Sequence, residues 1–256
     1  ADSQEGVINY SLLTPPDIPI YDLDGNYASV IREGYTRINP IAMVLDEDIL
    51  LGRNKLNGSI FADITPIESL TLHSELGFDI GSTRGERFEP AVRYGKWSRE
   101  KNMSSIQKND NRFWQLKNYL TYSGNVDKHD YTVMLGQEMW ESTYEYQSVT
   151  ASALPSNDIK NPSLGTDPLI TSGFGSSAMA SFFGRGTYNY DDRYMGTYTY
   201  RRDGSSNFGP KNRWAGFHAF AASWRFTNEA FFEPLTEVLN NGKLRLGWGQ
   251  TGNSNI

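Results

Sequence analysis

The 256-residue chain carries 24 Lys+Arg against 30 Asp+Glu, a formal charge of −6. Without any Lys/Arg run, that balance excludes a sequence-independent nucleic-acid binder, whose affinity comes from basic side chains neutralising phosphates. Zero cysteines exclude disulfides, thiolate nucleophiles and zinc-thiolate sites, and the lack of any run of 18 apolar residues excludes a transmembrane helix but not a transmembrane β-barrel. Aromatics at 13% and 24 glycines beside modest aliphatics favour strands over helices.

Residues 1–6 have neither the basic start nor the apolar core of an export signal. Residues 1–53 sustain no period and read as an irregular region. Within it, Asp22-Leu23-Asp24-Gly25-Asn26 echoes the start of a calcium loop, yet only Glu33 follows where a closing carboxylate is needed. An Asp-Gly turn is expected there, and no metal. Asp46-Glu47-Asp48 reads as a solvated turn, because neighbours on a strand point to opposite faces and could not serve as a hydrolase pair.

From 54 to 250 the pattern predicts about eight strands. Leu56, Gly58, Ile60, Ala62 and Ile64 alternate with polar residues, and after a link at 65–69 so do Leu70, Leu72, Leu76, Phe78 and Ile80. Together they predict a hairpin. Further apolar rows follow at Trp114, Leu116, Leu120 and Tyr122, then at Tyr131, Val133, Leu135 and Met139. Phe182 to Tyr190 and Tyr194 to Tyr200 flank a tight Asp191-Asp192 turn, and Phe220 to Phe226 and Leu244 to Trp248 end the series.

The connections sort by length. Links at 65–69, 125–129 and 191–192 are short, while 81–111, 141–178 and 202–214 are long, as in an outer-membrane barrel with short periplasmic turns and long extracellular loops. The link 227–242 departs from this order and could hold a helical turn. Aromatics gather where strands meet turns, which suits interfacial girdles and equally the core of a soluble sheet; the sorted loops tip the balance. His73, His129 and His218 are scattered without metal spacing, and Gly173-Phe174-Gly175 and Gly184-Arg185-Gly186 lack the helix and lysine that phosphate cradling needs.

The run Ser181-Phe182-Phe183-Gly184-Arg185-Gly186-Thr187-Tyr188-Asn189-Tyr190 leads into Tyr200-Arg201-Arg202-Asp203-Gly204-Ser205-Ser206-Asn207-Phe208-Gly209. Ala222-Ser223-Trp224-Arg225 and Lys243-Leu244-Arg245-Leu246-Gly247-Trp248-Gly249-Gln250-Thr251-Gly252-Asn253 follow in order. Together with Pro19 to Tyr27 and Asn39-Pro40-Ile41-Ala42, they resemble the barrel of the SusC/RagA-like TonB-dependent outer-membrane transporters. Gly196 and Tyr198 depart from the family's aliphatic residues.

That resemblance implies an all-β fold of antiparallel up-and-down strands, a segment of a large barrel lacking the plug and the C-terminal strands. It implies nutrient import across the Gram-negative outer membrane, with an oligosaccharide or peptide ligand, a SusD-like surface lipoprotein as lid, TonB acting through the missing plug, and lipid around the wall. No enzyme activity, catalytic residue, cofactor or metal is expected.

Candidate ligand contacts are Trp97, Trp140, Tyr144 and Tyr146 in the long loops, with Arg201, Arg202 and Asp203 at the rim. Arg201 could instead pair with acidic groups inside the barrel while Asp203-Gly204 makes a turn. His73, Glu75, Asp79, Arg185, Thr187, Arg201 and Arg225 are expected on the lumen side, and Leu72, Leu76, Leu135, Tyr198 and Trp224 toward lipid. A soluble carbohydrate-binding β-sandwich, with its apolar face buried between two sheets, is the alternative. A jelly-roll hydrolase would need two converging carboxylates, which no spacing suggests.

Overall fold

The computed structural model describes residues 8–9, 11–28, 31–32, 35–36, 39–94, 97–235 and 237–253. Two short strands, β1 (Ile31–Arg32) and β2 (Tyr35–Thr36), pair with each other and precede helix α1 (Pro40–Asp46). Asn39 starts the helix: its side-chain oxygen accepts the Ile41 N–H at 2.9 Å, and its amide donates to the carbonyls of Ile20 and Ala28. Asp22 closes the preceding turn by accepting the N–H groups of Asp24 and Asn26, with Gly25 at φ +82°; this is the expected Asp-Gly turn, and Glu33 lies outside the described residues.

The remaining strands are β3 (Asp48–Ile67), β4 (Leu70–Glu89), β5 (Val92–Tyr94), β6 (Trp97–Arg99), β7 (Met103–Val126), β8 (His129–Ser152), β9 (Thr166–Tyr190), β10 (Tyr194–Ser205), β11 (Trp214–Trp224) and β12 (Leu244–Gly249). Eight of them form one antiparallel sheet in the order β12-β11-β10-β9-β8-β7-β4-β3, and β5 pairs with β6. Every neighbour pair in the large sheet except β4 and β7 is consecutive in the chain or separated only by a link, which is an up-and-down topology.

Strands β3, β4, β7, β8 and β9 run 20 to 25 residues, about twice the 9–11 that cross a bilayer. Much of the 81–111 and 141–178 stretches read as loop is therefore strand. Alternation fades there because polar residues fall on both faces, as Glu86 and Arg87 on β4 and Gln107 and Lys108 on β7 do, and the connections shrink to 90–102 and 153–165. Tight turns occupy 68–69, 127–128 and 191–193, the last one residue longer than the expected Asp191-Asp192 turn, with left-handed φ at Asp127, Asp191 and Asp192. The link 225–243 folds into two 3-10 turns, Phe226–Asn228 and Ala230–Leu235.

By contacts the chain divides into two compact units, residues 1–55, 81–110 and 144–174 in the first and 56–80, 111–143 and 175–256 in the second. In the first, Ala42 and Tyr94 are buried together, with Tyr27, Met43 and Val92 packed around them. In the second the sheet has one apolar face, and that face is open: Ile60, Leu76, Leu135, Tyr198, Phe220 and Leu246 are each more than 40% exposed. No second sheet covers it among the described residues, contrary to what the sandwich alternative requires. No described helix is long and apolar enough to cross a membrane.

Candidate functional site

The face opposite the apolar one carries the polar chemistry of the second unit. Strand alternation sends Arg185 and Thr187 to it, opposite Thr199 and Thr197, while Gly186 and Tyr198 share the other side. Arg201 is its best-connected cation. Its guanidinium donates to Glu138 Oε2 at 2.8 Å, Asp203 Oδ1 at 2.7 Å and the buried Ser181 Oγ at 2.8 Å, above the Phe183 ring. The other Glu138 oxygen accepts from the Gln115 amide. A planar five-donor fork suits such divided demand, where lysine offers only a point charge. On β3, β4 and β7, His73 Nδ1 lies 2.7 Å from Asp63 and its ring stacks on Tyr119 at 4.5 Å, with Glu75 at 3.8 Å from Nε2.

Arg202 points to the apolar face and lies 5.6 Å over the Trp214 ring, which stacks on Phe182. Two adjacent arginines are thus split by the pleat. Asp203-Gly204 makes no turn: β10 continues to Ser205, and Gly204 is required because a Cβ there would come 2.7 Å from the Trp214 ring. Trp140 lies against Phe113 at 6.1 Å.

At the short-turn end, Asp191 accepts from Lys128 Nζ at 2.9 Å and from Arg193 at 2.5 Å. Glu229 in the 225–243 link accepts from Tyr194 Oη at 2.6 Å, Trp224 Nε1 at 2.9 Å and Arg193 at 3.3 Å, tying this link to the 191–193 turn. These hydrogen bonds, first that from Lys128 and first that from Tyr194, hold the Asp191 and Glu229 carboxyls below their ordinary values. A lowered carboxyl stabilises the fold above its unfolded value and stops doing so as pH falls through its folded one. Amide-exchange protection at 191–194 and 225–229 is therefore expected to hold from neutral pH down to about 4 and to fall below it. Loss of protection already between pH 7 and 5 would contradict this.

Arg225 lies at the start of that link. Its backbone N–H still donates to Arg193 O, but its Nε is buried without a hydrogen-bond partner among the described residues.

In the first unit, asparagines join the 90–102 and 153–165 links. Asn102 is 3% exposed; its Oδ1 accepts the Leu154 N–H at 2.6 Å, and its amide donates to the carbonyls of Leu154 and Ser156. Asn157 pairs with Ala91 through both its oxygen and its amide, like a rung of a sheet. Asn102→Ala strands these buried groups and is expected to cost about 1–3 kcal/mol, seen as faster proteolytic nicking within 153–165. Unchanged nicking in that variant would dismiss the clamp.

Asp46-Glu47-Asp48 is not the solvated turn that its composition suggested. Glu47, 4% exposed at its side chain, accepts from Arg87 at 2.9 Å and lies 3.7 Å from Arg99; Asp48 pairs with Lys160 at 2.5 Å. Burial pushes the Asp46 carboxyl up. Tyr144 and Tyr146 stack at 5.9 Å with planes 27° apart.

Of the proposed ligand contacts, Arg201 and Asp203 are brought together and Tyr144 and Tyr146 form a pair, while Arg202 is turned away. Trp97 belongs to β6, and its side chain lies outside the described residues. Asp79 occupies the same alternation as His73 and Glu75 on β4. Sequence reasoning missed Glu138, Ser181, Asn102, Glu47 and Glu229. Alternation from Tyr131, Val133, Leu135 and Met139 puts Glu138 on the polar face, but nothing in its neighbours names Arg201, 63 residues on, as its partner. No group of three or more acidic or histidine residues able to hold a metal occurs among the described residues.

One apolar and one polar face, tight turns alternating with longer links, and membrane-crossing length or more in β3, β4 and β7 to β11 define a wall section of a large outer-membrane β-barrel. Over its whole length the chain is similar to TonB-dependent receptor P26 of Formosa agariphila, 30% identical over 268 residues, covering 27% of that protein. TonB-dependent receptor SusC of Bacteroides thetaiotaomicron is 45% identical over 80 residues, 31% of this chain and 8% of SusC. The solved structure of the RagAB peptide transporter superposes with a TM-score of 0.82 at 25% identity, over 93% of this chain and 27% of that one. No protein-family model matches. Fold and sequence alike are similar to a barrel section of SusC/RagA-like TonB-dependent receptors, and the chain spans about a quarter of the length of the curated relatives it matches over most of its own length.

Proposed function

We propose that this chain forms part of the barrel wall of an outer-membrane importer for a ligand too large for passive pores, a glycan or a peptide. The observation that carries the reading is the two-faced sheet: an exposed apolar side that water would not tolerate, backed by a side rich in paired charges and hydroxyls. In this reading the polar face lines the lumen, with His73, Glu75, Asp79, Arg185, Thr187 and Arg201 as wall groups. Trp140, Tyr144 and Tyr146 offer rings for stacking on sugars or peptide side chains, and Trp97 is proposed with them from its residue type alone.

No bond is made or broken, so no residue is assigned a catalytic role. Energy comes from the inner membrane through TonB acting on a plug, and a SusD-like surface lipoprotein closes the lumen from outside. The cell location is the outer membrane of a Gram-negative bacterium.

The test is uptake by cells that make the intact protein, using fluorescent oligosaccharides and fluorescent peptides side by side. Uptake of one class that ceases on deleting the gene or dissipating the proton gradient is expected. Equal uptake of both classes with and without the gene would overturn the proposal.

A further inference from the structure

The apolar face of the second unit contains a furrow. Gly186 on β9 and Gly196 on β10 face outward with nothing within 4 Å of where a Cβ would stand, so the neighbouring rings do not fill the space. Tyr188 and Tyr198 stand opposite these glycines in register, and Val133 and Phe220 wall the sides of a hollow of about 690 Å³. A second hollow of about 580 Å³ shares Gly186 and Tyr198 with it and runs on past Leu135 and Phe182 to Arg202. The two make one groove, apolar along its floor and cationic at its loop end.

Arg202 is exposed, and among the described residues no carboxylate pairs with it; its partner is the Trp214 ring. A permanent cation on a lipid-facing surface needs an anion or the water edge. From Arg202 to Gly196 is about 20 Å along the strand, or about 15 Å along the membrane normal at a usual barrel tilt. That is half of the roughly 30 Å hydrocarbon core, the depth of one leaflet.

We propose that this groove holds one lipid of the leaflet at the loop end: an acyl chain lies over Gly186 and Gly196, and the phosphate headgroup meets Arg202. The proposal rests on the apolar face being the lipid face. Charge and depth both select a phosphate-bearing lipid: an anion answers Arg202 at the loop end, and an acyl chain matches the roughly one-leaflet length of the apolar floor.

The experiment uses the intact protein in detergent and native mass spectrometry, with a phosphatidylglycerol and a diacylglycerol of the same chains as probes. Wild type is expected to retain the phosphatidylglycerol about five- to tenfold better. Arg202→Gln should erase that preference, and the Gly186→Leu, Gly196→Leu double variant should weaken retention of both lipids. Retention unaffected by either change overturns the proposal, as does a dimer that the double variant dissociates while lipid retention stays constant, which would give the groove to a second copy.

Brominated acyl chains keep the two readings apart. If they quench the tryptophans of wild type and variants alike while retention is unchanged, only the groove fails. If they quench none of them, the lipid-facing assignment fails first.

Discussion

Arginine introduced at Leu76 or Leu135 is expected to destabilise the intact barrel by about 2–4 kcal/mol if the position lies near the bilayer midplane, whereas Thr187→Arg should cost far less. Leu76 and Leu135 lie on the exposed apolar face, and Thr187 faces the polar one, opposite Thr197. The difference arises because a guanidinium in hydrocarbon must keep its charge without water, while one on the polar face finds water and carboxylates. Urea unfolding from lipid vesicles reads the contrast directly. Equal cost at Leu135 and Thr187 would reverse the reading of the faces, and with it the proposed function.

The second expectation separates two arginines that adjoin in the chain. Arg201→Leu removes the partner of Glu138 and Asp203, whose side chains are 13% and 20% exposed, and should cost about 2 kcal/mol. Adding Glu138→Leu should recover part of that loss, because the carboxylate no longer sits unpaired; a coupling of about 1 kcal/mol is expected from the double-mutant cycle. Arg202→Leu breaks no ion pair recorded among the described residues and should move stability by no more than about 0.5 kcal/mol. A larger effect at Arg202 than at Arg201 would exchange the roles of the two faces of β10 and overturn the pairing of Arg201 with Glu138.

That pair also shows where sequence and structure part. Alternation over 70–80 and 182–200 was enough to place strands, hairpins and opposite parities, because period 2 survives wherever one face meets an apolar medium and the other does not. Beyond residue 80 on β4 and before residue 111 on β7 polar residues occupy both faces, as Glu86 with Arg87 and Gln107 with Lys108 do, so the pattern lapses although the ladder continues, and strand reads as loop. The 225–243 link gave only a hint of turns. Its hub, Glu229, holds Tyr194 and Trp224 from the ends of two strands, and nothing in the residues around Glu229 names those partners.

By itself the sequence determined that this is a sheet with a greasy side and a wet side, hairpins at its tight turns, and motifs in SusC-like order, since each of these is written in neighbours a few residues apart. Only the tertiary structure decided that Glu47 answers Arg87, that Asn102 joins two distant links, that Glu138 shares Arg201 with Asp203, and that Gly186 and Gly196 leave a furrow. Those depend on which strand lies beside which and at what register. Such choices are made by the closing of the whole ladder, where one residue of slip would exchange every partner.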